Sequence, residues 1–352
     1  MAEMRIGVLT GGGDCPGLNA VIRAVVRTGH RVHQDEVIGF LDGWRGVLEG
    51  DSQELDEERC RGILAVGGTI LGTSRTNPFA VDGGPEQVMR TIACKGIDAL
   101  IAIGGDDTLG VADRLGPMGL KVVGVPKTID NDLSGTEVTF GFDTAVQIAT
   151  DALDRLHTTA ESHHRVIVCE VMGRHAGWIA TYAGIAGGAA EILVPEVPFD
   201  VDEVSERLRR RHAGGRFSSI VVVAEGAVPS DPVIAADATA ISSSAPVDQF
   251  GHARLGGIGS WLAAEIERRT GYEARVTILG HVQRGGTPTA RDRVLATRFG
   301  VAALEAVHDG AFGTMVALNC GDIIRVPLAE AVGNPKTVDL HLYRDVAGPF
   351  MG

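Results

Sequence analysis

Arg5-Ile6-Gly7-Val8-Leu9-Thr10-Gly11-Gly12-Gly13-Asp14 opens the chain with an apolar, β-type run that ends in three glycines and an acid. A segment of helical period, Leu18 to Thr28, follows, so the stretch reads as strand, tight turn and helix. The rhythm recurs: Ala99 to Ile103 precedes Thr108 to Leu115, Val122 to Val125 precedes Thr144 to His157, and Val166 to Val171 precedes Gly177 to Ala186. Ile192 to Val194 then precedes Val201 to Arg211, Ile220 to Val223 adds another strand, and Ile258 to Arg269 with Val276 to Leu279 resume the alternation. The strand segments are almost continuously apolar, as parallel strands are when helices cover both faces. An α/β fold with mainly parallel, doubly wound sheets follows. At roughly 150 residues per domain, 352 residues fit two such domains.

Composition narrows the function classes. With 44% hydrophobic residues the chain has ample material for a packed core, and a net charge of −13 gives no long-range attraction to nucleic acid or anionic membranes. No stretch approaches the roughly 18 apolar residues of a membrane helix, and the N-terminus runs directly into a strand. The expectation is a cytoplasmic protein with neither nucleic acid nor membrane as partner. Cys15, Cys60, Cys94, Cys169 and Cys320 are scattered without metal-ligand spacing and read as reduced thiols, mostly in the core. The least regular stretch, Val228 to Gly251, reads as a loop or hairpin.

In open parallel sheets ligands bind beyond the carboxyl ends of strands. Six polar or glycine-rich clusters occupy such positions: Gly11 to Asp14, Gly104 to Thr108, Pro126 to Asp132, Met172 to His175, Glu225-Gly226, and Gly280 to Gly286. The first is either a plain βα turn or a backbone N–H nest for phosphate oxygens. No dinucleotide fingerprint or Walker loop occurs. Asp106 and Asp107 open a helix; one carboxylate suffices as a cap, while two suit a Mg²⁺ bridging to phosphate. Asp130 and Asp132 beside Lys127 and Asn131 form either an Asx turn or a base poised next to a cation. Arg165, Arg174, Arg275 and Arg284 lie near strand ends, where guanidinium forks grip phosphate. Each cluster alone has a structural explanation. Together they are the parts of a phosphotransferase, in which positioning and charge neutralisation supply most of the catalysis.

The stretches Gly7 to Asp14, Leu71 to Arg75, Gly104 to Asp106, Pro126 to Asp132, Glu170 to Arg174, Val194 to Glu196 and Gly280 to Gly286 resemble, in order, the motifs of the phosphofructokinase family. The resemblance extends to about Ala306. It implies two Rossmann-like α/β domains, with residues 1–141 plus 254–304 binding the phosphoryl donor and residues 142–253 plus 305–352 binding fructose 6-phosphate. By the same resemblance Asp130 is the base on the sugar 1-hydroxyl, Asp132 supports it, and Asp106 holds Mg²⁺. Gly12, Arg75 and Arg174 stabilise charge. Thr128, Met172, Gly173, Glu225, His281 and Arg284 match sugar-phosphate contacts, and Arg165 and Arg275 match arginines that reach in from a neighbouring subunit. A homodimer or homotetramer with shared active sites is implied.

Two positions bear on the donor. Family members using ATP carry glycine where Asp107 and Lys127 stand, although some share the lysine. A carboxylate at Asp107 would fill and charge the space of a nucleotide α-phosphate, while the Lys127 ammonium can hold the end of diphosphate. The sequence therefore resembles the diphosphate-dependent branch, which implies a reversible reaction in glycolysis or gluconeogenesis. The region matching the family's effector site, Ala189 to Glu191, does not place its acid where the family does. The alternatives are an ATP-dependent 6-phosphofructokinase, a relative of the NAD or lipid kinases, and a non-catalytic sugar-phosphate-binding regulatory homologue.

Overall fold

The computed structural model describes residues 3–236, 250 and 256–351. Most of the expected 228–251 loop, and the expected domain boundary at 253/254, lie outside the described residues. Two sheets carry the architecture. The first is ordered β11 (Asp322–Pro327), β10 (Thr314–Asn319), β5 (Val122–Pro126), β4 (Ala99–Gly104), β1 (Arg5–Thr10), β2 (Glu36–Phe40) and β3 (Ser52–Leu55). The second is ordered β7 (Glu191–Leu193), β8 (Ser219–Ala224), β6 (Val166–Val171) and β9 (Ala274–Ile278), all parallel. In the first sheet only the outermost strands, β3 and β11, run antiparallel.

Strand order in the first sheet reverses between β1 and β4, which pair from Ile6↔Ala99 to Thr10↔Ile103. That switch point opens a crevice beyond their carboxyl ends, where Gly11 to Asp14 and Gly104 to Thr108 lie. The helices α1 (Leu18–Thr28), α2 (Trp44–Glu49), α3 (Gly84–Cys94) and α4 (Asp106–Leu115) flank this sheet. The helices α5 (Phe142–His163), α6 (Trp178–Ala186), α7 (Val201–Ala213) and α8 (Ile258–Thr270) flank the second. A ninth, α9 (Ala290–His308), returns to pack on α1, where a Cβ at Gly300 would lie 2.7 Å from Ala24 Cβ.

One apolar cluster runs without a break from Ile6, Val8 and Val21 through Phe140, Ala145 and Phe299 to Ile167, Ile179 and Ile220. Burial of these side chains welds the inner faces of the two sheets together. Each outer face has its own smaller cluster, around Leu100, Leu109 and Val122 on the first sheet and around Val168, Val204 and Leu262 on the second. Strands β1, β4, β6 and β8 are buried nearly throughout, matching their unbroken apolar sequence.

Chain membership differs from the expected division at the C-terminal end. Residues 254–304 do not all belong with the first sheet, since β9 pairs with β6 from Val166↔Ala274 to Glu170↔Ile278 and α8 packs on both. Nor do residues 305–352 all belong with the second sheet, because β10 pairs with β5 and then folds back on itself as β11. Cys320 and Gly321, both at positive φ, make that hairpin turn, as a two-residue connection requires. All five cysteines are free; Cys15, Cys60 and Cys169 are buried, and Cys94 and Cys320 are exposed.

The starts of α5 and α9 are bonded to each other. The fully buried Asp292 carboxylate accepts from Thr144 N at 2.8 Å and from Thr144 Oγ1 at 2.6 Å, and Thr289 N donates to Thr144 Oγ1 at 3.0 Å. Removing one side of a buried, charge-assisted pair leaves the other unsatisfied. Asp292→Ala is expected to destabilise the chain by about 2–3 kcal/mol, with Asp292→Asn intermediate, as read from midpoints of thermal or denaturant unfolding.

Candidate active site

The six strand-end clusters converge. Gly11 N donates to Ile103 O at 3.0 Å, and Lys127 N donates to Gly104 O at 2.9 Å, aligning the turns after β1, β4 and β5. Lys127 Nζ reaches across to Gly13 O. From the second sheet's side Arg284 Nη1 donates to Asp14 O at 3.3 Å. Gln283, fully buried, accepts from Met172 N at 3.3 Å and donates to Gly280 O at 3.1 Å, and Gly226 N donates to Gly173 O at 3.1 Å.

Glycine is required where these turns touch. A Cβ at Gly11 would sit 2.5 Å from Thr108 Oγ1, and one at Gly13 would overlap the Arg284 guanidinium. The phosphate-nest reading of the first turn is corrected in part. Gly11 N is used by Ile103 O, and Gly12 N donates to Ser74 O at 3.1 Å, so neither N–H is free for a phosphate. What Gly12 supplies is space, at φ +80° with a would-be Cβ 3.4 Å from Lys127 Nζ.

Asp130 stands out electrostatically. Its backbone N–H is capped by Thr128 Oγ1 at 3.0 Å, and Thr139 Oγ1 donates to Thr128 O at 2.7 Å, fixing the loop. Its Oδ1 is buried and makes no hydrogen bond among the described residues. Burial, reinforced by the neighbouring Asp132 and by Glu225, pushes its carboxyl up to about 7, against the opposing pull of Arg284 and Lys127. A carboxylate so placed is a base near neutral pH. Burial lowers the Lys127 ammonium, which is 3% exposed, and raises the Glu225 carboxyl, which Arg174 opposes. Met172 is buried, and Gly173 holds φ +140°, where an added Cβ would lie 2.7 Å from Ala176 O.

Asp106 and Asp107 occupy the first turn of α4. Asp106 is exposed, with Oδ1 accepting from Gly333 N at 2.7 Å. Among the described residues no group of three or more His, Cys, Asp or Glu side chains is arranged to cage a metal. One exposed carboxylate fits instead an ion such as Mg²⁺, which keeps its waters and shares its shell with substrate phosphate. Arg75 is exposed in the loop that precedes Pro78, and His281 is exposed on the 3₁₀ turn Gly280–Arg284.

Arg165 and Arg275 are not brought to this cluster. They flank the opposite ends of β6 and β9, a strand's length away, roughly 20 Å at 3.3 Å per residue. There Arg165 Nε contacts Glu273 Oε2 at 2.8 Å, and Arg275 also pairs with Glu273. Glu191, in the region matching the effector site, is buried and held by Arg207 at 2.6 and 2.9 Å. Sequence reasoning assigned no role to Gln283, Asn131, Thr108 or Lys336; the first three lay inside clusters already noted, while Lys336 carried no local signal.

Comparison with known proteins agrees with this arrangement. The phosphofructokinase family profile matches residues 5–307. The chain is 60% identical to the pyrophosphate–fructose 6-phosphate 1-phosphotransferase of Amycolatopsis methanolica, over 99% of this chain and 100% of that one. It is 57% identical to ATP-dependent 6-phosphofructokinase 3 of Streptomyces coelicolor, over 95% and 96%. Among solved structures, phosphofructokinase from Pichia pastoris superposes with a TM-score of 0.82 at 32% identity, covering 99% of this chain but only 36% of the yeast chain. The pyrophosphate-dependent phosphofructokinase of Marinobacter aquaeolei shares the fold at the same TM-score and 22% identity, over 99% of this chain and 92% of that one. No helix among the described residues is long and apolar enough to cross a membrane. With the family profile over most of its length, full-length relatives and a converged set of family motifs, the chain belongs to the phosphofructokinase family.

Proposed function

We propose that the chain catalyses reversible, Mg²⁺-dependent transfer of a phosphoryl group from diphosphate to the 1-hydroxyl of D-fructose 6-phosphate, giving fructose 1,6-bisphosphate and phosphate. The observation that carries this reading is Asp130, whose unbonded, buried Oδ1 sits under the electrostatic influence of Lys127 and Arg284. Asp130 takes the hydroxyl proton as the sugar oxygen attacks phosphorus, and Asp132 holds the loop's second negative charge. Arg174, beside Glu225, stabilises the charge that develops on the transferring group, with Arg75 at the donor end. The space above Gly12 admits the phosphoryl group, and Lys127 holds the terminal phosphate of the donor. Thr128, Met172, Gly173, Glu225, His281 and Arg284 bind the sugar phosphate. Asp106 is the residue for Mg²⁺, whose chemistry is to neutralise phosphate oxygens.

The seven-stranded sheet forms the donor lobe and the four-stranded sheet the sugar lobe, with membership as the strands pair. Arg165 and Arg275, too far from their own chain's cleft, serve the 6-phosphate of a neighbouring subunit, so a homodimer or homotetramer is the functional unit. We place the reaction in the cytoplasm.

A second reading, ATP as donor, is favoured by the 57% identical relative that bears that name. Asp107 decides between them, because a carboxylate beside a nucleotide α-phosphate juxtaposes like charges. Fructose 1,6-bisphosphate formation is expected with diphosphate and only weakly with ATP. Asp107→Gly should raise the ratio of ATP to diphosphate turnover by about tenfold or more; a parent that prefers ATP keeps the family and overturns the donor.

Asp130→Asn is expected to lower kcat by at least about 10²-fold while the variant keeps its melting temperature. The proton on Asp130 must be absent for it to act as base. In the forward direction kcat/KM should therefore be flat above about pH 7 and fall as pH drops through it, a profile measured with saturating diphosphate.

A further inference from the structure

The family profile ends at residue 307, yet the chain's last segment runs into the cleft. After β11 and a short helix (Leu328–Ala331), residues 333–338 cross the mouth of the site. Gly333 N donates to Asp106 Oδ1 at 2.7 Å, Ser134 Oγ donates to Asn334 O at 2.6 Å, and Lys336 N donates to Asp132 O at 2.8 Å. The strap then docks on the second sheet's elements. Trp178 Nε1 donates to Lys336 O at 2.9 Å, Val338 N to Glu196 Oε1 at 2.8 Å, and Tyr343 Oη to Ile192 O at 2.7 Å.

Lys336 is the centre of this strap. Its ammonium has three protons to place, and three acceptors lie within reach: Asn131 Oδ1 at 3.0 Å, Thr136 O at 2.9 Å and Glu137 O at 2.8 Å. The Trp178 ring lies 5.4 Å from Nζ. Asn131 is the residue between the two site aspartates. It is 2% exposed and held at φ +53°, in the left-handed region, which asparagine tolerates better than most side chains. Its Oδ1 accepts from both Lys336 and Thr139 N, the latter at 3.1 Å. With the side chain of the middle residue and the carbonyl of Asp132 both fixed by Lys336, the direction in which Asp130 and Asp132 project is fixed too.

We propose that Lys336 is a positioning residue for phosphoryl transfer, acting from the C-terminal strap by clamping Asn131 and the 131–137 loop so that Asp130 is aimed at the sugar hydroxyl. This rests on the reaction assigned above. Lys336 is largely buried, and its ammonium is lowered to about 8 chiefly by burial, with Asp132 and Glu137 opposing. It therefore also places a positive charge next to Asp132. Asp130 itself faces Asp132 and Glu225, which hold its proton, and Arg284 and Lys127, which release it.

The test compares the parent with Lys336→Met, Lys336→Arg and Tyr343→Phe, the last removing a strap anchor remote from the aspartate loop. Each is assayed with diphosphate and with ATP, alongside its melting temperature. Lys336→Met should lower kcat by about 10- to 10²-fold with KM for fructose 6-phosphate little changed, as expected for a misaimed reacting group. Its acid limb should move to higher pH, because Asp132 loses its neighbouring cation and Asp130 keeps its proton longer. Lys336→Arg should recover much of kcat and return the limb. Tyr343→Phe should lower the melting temperature and leave kcat within about twofold. If Lys336→Met keeps parental kcat, or loses it only in step with melting temperature and with an unmoved limb, as a merely structural anchor would, the positioning role is wrong. A parent that turns over neither donor overturns the reaction itself and this role with it.

Discussion

Two cations converge on a single turn, and the cleft depends on that contact. Lys127, from the loop after β5, and Arg284, from the loop after β9, donate to the carbonyls of Gly13 and Asp14. The first arrives from within the seven-stranded sheet and the second from beyond the four-stranded one, so the turn after β1 serves as the common reference for both. A side chain on Gly11 or Gly13 would displace Thr108 or Arg284, which is why this turn is built almost entirely of glycine. The Asp130 carboxylate, with its Oδ1 buried, is tolerable only in such company, since a charge without cations or donors nearby is expensive to bury.

The joining of the two sheets supports the same geometry from below. A single apolar cluster spans them, and the paired starts of α5 and α9 add a buried polar lock through Thr144 and Asp292. Packing of this density transmits displacement instead of absorbing it. The cleft is accordingly a property of both sheets together, with loops from each joined by hydrogen bonds such as Arg284 Nη1 to Asp14 O.

Much of the fold was legible because β1, β4, β5, β6 and β8 are covered on both faces, and their unbroken apolar runs announce it. The strands β2, β3, β10 and β11 were not read. β3 and β11 are edge strands with mixed, partly exposed faces, where the pattern that marks a strand is weakest. Sheet membership near the C-terminal end was hard to read for a related reason: α9 crosses back to the first sheet after β9 has joined the second, and no composition change marks the crossing. Within the site, spacing and strand-end position picked out Asp106, Asp130, the strand-end arginines and the glycine turns, while roles for Thr128 and Met172, and the reach of Arg165 into a neighbouring subunit, came only through resemblance. The occupied N–H groups of Gly11 and Gly12 could not be foreseen, because their acceptors, Ile103 and Ser74, are distant in sequence. Lys336 was invisible for the same reason, lying 205 residues from the asparagine it holds.

The carbonyl contacts of Lys127 and Arg284 have a thermodynamic consequence. Immobilising a long cationic side chain costs about 1.5–2 kcal/mol of rotamer entropy, and here that loss falls on folding, before any anion arrives. On the proposed assignment, a donor phosphate would meet the Lys127 ammonium, and a sugar phosphate the Arg284 guanidinium, already ordered, each exchanging a backbone carbonyl for a phosphate oxygen without freezing a new rotor. Binding to such a site is enthalpic in its gain and light in its ordering cost. The acidic chain can in this way hold a polyanion with few cations, each of which is in place from the start.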